Sequence, residues 1–194
     1  SDQMAYMMDH KFNTVRNEVR ENINNEYLSD LLVTWRNNYA YEIDGVIVTN
    51  DKICVGGGDG QVVLFHVDQN FCQSLMQTQL YGSIQGLSSS NDGVQLLAAT
   101  NKGFLYRIRV SDFSQMLLAE NHTEPVIHVN YMPDVSDKYI TCSVDGTIRL
   151  WDANDYSVKA RCVNHQATTA GVYPLCSLFT DEIILSGWSD GKIR

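Results

Sequence analysis

Residues 141–157 read TCSVDGTIRLWDANDYS and hold Ser143, Asp145 and Trp151, with His122 about twenty residues upstream. A serine whose proton is taken by a histidine, itself oriented by an aspartate, is the constellation of nucleophilic acyl transfer. The same residue types on neighbouring strands do something else: they pin backbone and indole N–H groups that would otherwise be buried without partners. One test separates the two readings. A catalytic set is normally present once, whereas a structural set recurs. No G-x-S-x-G elbow accompanies the serine.

The set recurs. Four polar turns end in glycine and run into a strand-like segment: GGGDG-QVVLFHV, ATNKG-FLYRIRV, CSVDG-TIRLWDA and GWSDG-KIR. Their glycines, Gly60, Gly103, Gly146 and Gly191, are spaced by 43, 43 and 45 residues. Asp-Gly and Lys-Gly suit two-residue hairpin turns, which need positive φ. Short apolar or β-branched runs flank each turn. In the second unit they cover 83–89, 94–100, 104–110 and 115–120. In the third they cover 126–132, 139–143, the TIRLWDA run and 158–163. Helical repeats of this period would need apolar residues at 3.6 spacing instead. The reading is all-β, with four-stranded antiparallel units at about 43–80, 82–120 and 125–164, and an incomplete one at 171–194. Such units are the blades of a propeller, and about three and a half of them are present. A closed ring needs more, so the expectation is a piece of a longer chain or complex.

TIRLWDA after an x-D-G turn, with His upstream, resembles a WD-repeat blade. The resemblance implies a structural hydrogen-bond network of His, Ser or Thr, Asp and Trp. It assigns His122, Thr141 or Ser143, Asp145 and Trp151 to the third unit, and His165, Ser186 and Asp190 to the fourth. The first unit keeps only Asp59, with Phe65 in the Trp place; the second has Lys102 and Ile108 and keeps neither Asp nor Trp. A narrower resemblance, carried by ICVGGGDGQVVLF, GFLYRIRVSDFSQMLLAENH and ILSGWSDGKIR, is to the cilia- and flagella-associated WD-repeat proteins. These brace the tubulin wall inside axonemal doublet microtubules. It implies a non-catalytic protein-interaction scaffold bound to tubulin or neighbouring axonemal proteins. The alternative is an adaptor or assembly factor elsewhere, such as a ubiquitin-ligase substrate adaptor or a ribosome-assembly factor; a propeller-based hydrolase is a third reading. Aromatic and acidic loop positions make Trp188, Tyr173, Asp155 and Tyr156 the candidate partner contacts.

Composition narrows the field. The chain has 194 residues and a formal net charge of −9, and no block of Lys or Arg interrupts it, so a nucleic-acid partner is not expected. No apolar run approaches the roughly 18 residues of a membrane span, and the opening SDQMAYMMDHKF lacks the basic and apolar regions of a signal peptide. Five cysteines without a C-x-x-C pair suggest a reduced, intracellular setting, in cytoplasm, cytoskeleton or cilium. Gly56-Gly57-Gly58-Asp59-Gly60 lacks the Gly-Lys-Ser/Thr ending of a phosphate loop. The Cys and His residues have no metal-like spacing, so neither a metal nor a cofactor is expected. Before the repeats, Met8, Phe12, Val15, Val19, Ile23, Tyr27, Leu31 and Trp35 recur every three or four residues. That periodicity predicts an amphipathic helical segment over 1–40, docked on the blades or bound to another subunit.

Overall fold

The computed structural model describes residues 43–49, 51–67, 72–180 and 182–194. The helical segment expected over 1–40 lies outside the described residues. The described chain forms three four-stranded antiparallel sheets and a two-stranded one. The first holds β1 (Ile43–Thr49), β2 (Lys52–Gly57), β3 (Gln61–Val67) and β4 (Cys72–Gln79). The second holds β5 (Ile84–Ser89), β6 (Gln95–Thr100), β7 (Leu105–Arg109) and β8 (Gln115–Leu117). The third holds β9 (Val126–Tyr131), β10 (Lys138–Ser143), β11 (Thr147–Asp152) and β12 (Val158–Val163). The fourth pairs β13 (Pro174–Phe179) with β14 (Ile184–Trp188), and a bridge from Gly187 to Ile193 begins a third strand. In every full sheet the strands lie in chain order. The turn glycines explain the tight hairpins: Gly103 and Gly146 both take φ +82°, a conformation that costs other residues about 1–2 kcal/mol.

The first strands stack in succession, β1 against β5, β5 against β9 and β9 against β13. The fourth strands lie outermost, with all of β8 and most of β12 exposed. Alternation along a strand sends successive side chains to opposite faces, so a middle sheet belongs to two cores at once. On β6, Leu96 and Ala98 pack with Ile84 of their own unit and with Cys54 and Leu64 of the first. Leu97 and Ala99 pack with Val129, Tyr139 and Trp151 of the third. Ile140, Cys142 and Ile148 then pack with Phe179 and Trp188 of the fourth. Leu96 and Leu97 are both fully buried, each contributing about 1.5–3 kcal/mol of transfer free energy. On the far side of the fourth sheet the apolar face is open: Leu178 and Leu185 are direct cross-strand partners, and with Ile193 they are 54%, 52% and 79% exposed.

Polar contacts also tie neighbouring sheets. The Tyr131 amide donates to Ser88 Oγ at 2.9 Å. Phe113 and Tyr156 hold positive φ, 54° and 60°, in corresponding turns after β7 and β11. Both reach back to the preceding sheet. Phe113 is buried in the core between the first two, and the Tyr156 hydroxyl donates to Gln95 at 2.7 Å. One element had no signal in the repeat, the short helix α1 (His165–Thr169) between β12 and β13. The Asn164 side chain caps it by accepting from the Ala167 amide at 3.0 Å, and Ala167 packs into the third core.

Candidate functional site

His122 sits in the loop between β8 and β9, where its amide donates to the Gly103 carbonyl at 3.1 Å. Two strands and a turn converge on its ring. Nδ1 lies 2.8 Å from Asp145 Oδ2 and Nε2 lies 2.8 Å from Thr141 Oγ1. The Trp151 indole N–H donates to the same Thr141 oxygen at 2.9 Å. One proton assignment satisfies every atom: Nδ1–H donates to the carboxylate, Thr141 O–H donates to Nε2, and the indole donates to Thr141. The imidazole is therefore neutral and aligned along a single chain of bonds. Thr147 completes the carboxylate, donating from its amide at 2.9 Å and its hydroxyl at 2.6 Å to Asp145 Oδ1. Trp151 is held flat by Tyr139, with ring centroids 5.6 Å apart and planes 5° from parallel.

The electrostatics follow from this enclosure. Burial pushes the His122 pKa below its ordinary value, against the opposing pull of Asp145. Burial alone would raise the Asp145 carboxyl. The hydrogen bonds from His122 and Thr147 outweigh it and hold the group well below the usual carboxylate range. Ser143 is not joined to the histidine. Its hydroxyl donates to the Glu124 carbonyl and accepts from the Asp145 amide, both at 3.1 Å. Both Ser143 and the His122 ring are closed to solvent. The hydroxyl beside the base is that of Thr141, which is itself fully buried and already accepts from the Trp151 indole, so the geometry serves to position backbone and indole groups.

A further member was missed in reading the sequence. Arg149 reaches Asp145 Oδ2 at 3.4 Å and the Asn121 carbonyl at 3.0 Å, with its guanidinium carbon 5.9 Å from the Trp151 ring centroid. Arg194 repeats the relationship in the fourth sheet, gripping both Asp190 oxygens at 2.9 and 2.8 Å. The signal was present in DGTIR and DGKIR, where an arginine stands three residues after each turn glycine.

The fourth unit departs from the expected set. His165 is exposed at the start of α1, and its ring bonds to neither Ser186 nor Asp190. The cause is the inserted helix. Val126 pairs with Ser143 and Pro174 with Trp188, and counting back from that register puts Ala170, not His165, in the place of His122. Ser186 is occupied differently, by the Trp188 indole N–H at 2.9 Å. Trp188, read as an exposed partner contact, is instead 5% exposed and part of the third core.

The remaining expected positions are dispersed. Asp59 accepts from the Gln61 amide at 3.0 Å and caps its own turn. Tyr173 is half-buried, and its amide donates to Ser189 Oγ at 3.2 Å. Tyr156 is half-buried against the second sheet, as described. Asp155 is the exposed member, accepting from the Ser157 amide at 2.9 Å. In the second unit Ala98, Lys102 and Ile108 replace the polar set, and Asn121 takes over part of the task, accepting from the Leu105 amide at 2.9 Å. Among the described residues no group of three or more His, Cys, Asp or Glu side chains is arranged to hold a metal ion. No described helix is long and apolar enough to cross a membrane.

Comparison with known proteins agrees with this geometry. The family model "WD domain, G-beta repeat" matches residues 114–152, the span holding His122, Thr141, Asp145 and Trp151. The chain is 28% identical over 148 residues to cilia- and flagella-associated protein 52 of Homo sapiens, covering 73% of this chain and 22% of that protein. The same protein of Chlamydomonas reinhardtii is 28% identical over 152 residues, covering 76% and 23%. WD repeat-containing protein 90 of Mus musculus is 30% identical over 110 residues, covering 57% and 6%. The chain spans less than a quarter of the length of these relatives. Among solved structures, Sqt1 of Chaetomium thermophilum, bound to the N-terminus of a ribosomal protein, superposes with a TM-score of 0.65 at 21% identity. That match covers 77% of this chain and 41% of Sqt1, and it is a likeness of fold.

Proposed function

We propose that this WD40-repeat chain is a non-catalytic scaffold piece that braces a multiprotein assembly of the ciliary axoneme, binding tubulin or neighbouring axonemal proteins. The observation that carries the reading is the closed network at His122. The residues that might have formed a reacting set are spent on locking β10, β11 and the loop before β9 together. What remains for function is a stiff stack of sheets with exposed turns. Similarity over about three quarters of the chain to cilia- and flagella-associated proteins supports the axoneme as the assembly.

The mechanism is mechanical. Each of the two middle sheets is fixed by two neighbours, so the turns at its ends are held at set spacings and can meet several partners without reordering. Preorganisation of that kind lowers the entropic cost of association. The test is co-sedimentation of the full-length protein with purified axonemal doublets, together with its location in ciliated cells. Recovery in the doublet pellet and an axonemal signal are expected. Absence of both would sink the axonemal reading.

A further inference from the structure

Three hairpin turns at one end of the stack are joined into a single ledge. They are the turns between the first and second strands of the second, third and fourth units, described at residues 90–94, 132–137 and, in the last, 180 and 182–183. The Asn91 side-chain amide donates to the Met132 and Val135 carbonyls at 3.0 and 2.7 Å, and its backbone N–H donates to Ser136 Oγ at 2.9 Å. Met132 in turn packs with Phe179 and Ile184, which flank the third of these turns. Each turn nonetheless presents an aliphatic side chain to solvent: Val94 at 50% exposure, Val135 at 40% and Ile183 at 58%. Single exposed aliphatics are ordinary on a protein surface. Here one stands on each of three neighbouring turns, the first two tied by hydrogen bonds and the third through the shared core, and neither the fold nor the His122 network uses the set. The charges beside the set are mostly of one sign. Its described turns carry Asp92, Asp134, Asp137 and Glu182, with Lys138 following at the start of β10.

We infer that this ledge docks a basic protein segment, one in which lysine or arginine side chains alternate with aliphatic ones. The aliphatic residues cover Val94, Val135 and Ile183, and the cations sit between the carboxylates. Burial of the apolar set supplies affinity, and the charges select the partner and its direction. An acidic partner surface is repelled from the same place. The inference rests on the scaffold reading and names the surface that reading leaves open.

The probe is a short peptide of alternating lysine and leucine, titrated into the isotope-labelled 194-residue chain and followed by amide NMR shifts. Two matched peptides, glutamate–leucine and lysine–serine, serve as controls. Shifts from the lysine–leucine peptide are expected to cluster at 91–94, 132–138 and 182–184. In the Val94→Ser, Val135→Ser double variant the dissociation constant should rise about tenfold, the equivalent of about 1.4 kcal/mol. These side chains are at turn tips, and an unchanged thermal melt verifies that the variant folds. Shifts that map elsewhere, equal binding of the glutamate peptide, or equal binding of the lysine–serine peptide would each overturn the inference. The doublet assay keeps the two readings apart: co-sedimentation that persists while the peptide maps elsewhere removes this surface only.

Discussion

Trp151 stacks on Tyr139 at 5.6 Å while its indole N–H is tied to Thr141. One aromatic ring therefore joins the core between the second and third sheets to the polar network that closes the third hairpin. Disturbing either partner should be felt in both.

Thr141→Val keeps the shape of the side chain and removes the hydroxyl. The indole N–H and His122 Nε2 lose their shared partner inside a fully buried site. A loss of about 1–3 kcal/mol is expected, read as a lowered urea midpoint with an unchanged slope. Asp145→Ala should cost a comparable amount, since it strands His122 Nδ1–H and an arginine. A loss below about 0.5 kcal/mol in both variants would show that the network is not part of what holds the blade.

Acid should weaken the fold in two steps. The folded pKa of His122 is lowered from the ordinary 6.5 by burial, so the unfolded chain takes up that proton first. Its contribution is complete above 6.5 and is lost as the pH falls below that value. Asp145 is likewise lowered from 3.8 by its hydrogen bonds, against the effect of burial, and its contribution goes as the pH falls below 3.8. Denaturation midpoints from pH 7 down to 5 should therefore drop in the native chain and drop less in His122→Asn. Equal slopes would contradict the assignment.

Two glycines with similar backbones should behave differently. Gly103 and Gly171 have φ of +82° and +72°. An added Cβ at Gly103 would meet the His122 carbonyl oxygen at 2.5 Å, whereas nothing lies within 4 Å of one at Gly171. Gly171→Ala should cost only the left-handed backbone penalty of about 1–2 kcal/mol. Gly103→Ala should cost clearly more, because the loop carrying His122 must also move. Urea titration of the two variants side by side decides it.

The open face of the fourth sheet should govern self-association of this chain. Leu178 and Leu185 lie opposite each other there, both more than half exposed. Apolar sheet surfaces of this kind seek a cover. Leu178→Lys with Leu185→Lys should raise the concentration at which light scattering appears, and sedimentation should shift toward monomer. Unchanged association would place the sticky surface elsewhere.

Much of the structure was legible because the chain states it several times. The glycine spacing marked the hairpins, and the short apolar or β-branched runs on either side of each turn marked the strands. His122, Asp145, Thr141 and Trp151 could be grouped for the same reason. What escaped was whatever broke the period. The α1 insertion made His165 look like the counterpart of His122, since sequence distance does not reveal which residues coil into a short helix. Trp188 read as a loop aromatic because it stands at the end of β14 beside the Asp190 turn, and its burial comes from packing with Ile140, Ile148 and Phe179 across the sheets. Arg149 was visible and overlooked: a charged residue on a strand reads as a solvent-facing one until a buried carboxylate is seen beside it.

The alternation that gives Leu96 to one core and Leu97 to another has a last consequence. A module clasped from both sides can tolerate decay within itself. The second repeat, with Ala98, Lys102 and Ile108 where its neighbour keeps a polar quartet, still folds into the stack. Its hairpin at Asn101 and Lys102 is held another way, by exchange of hydrogen bonds with Ser83 at 3.0 Å, so a neighbour's polar quartet is one of several fastenings that the architecture accepts.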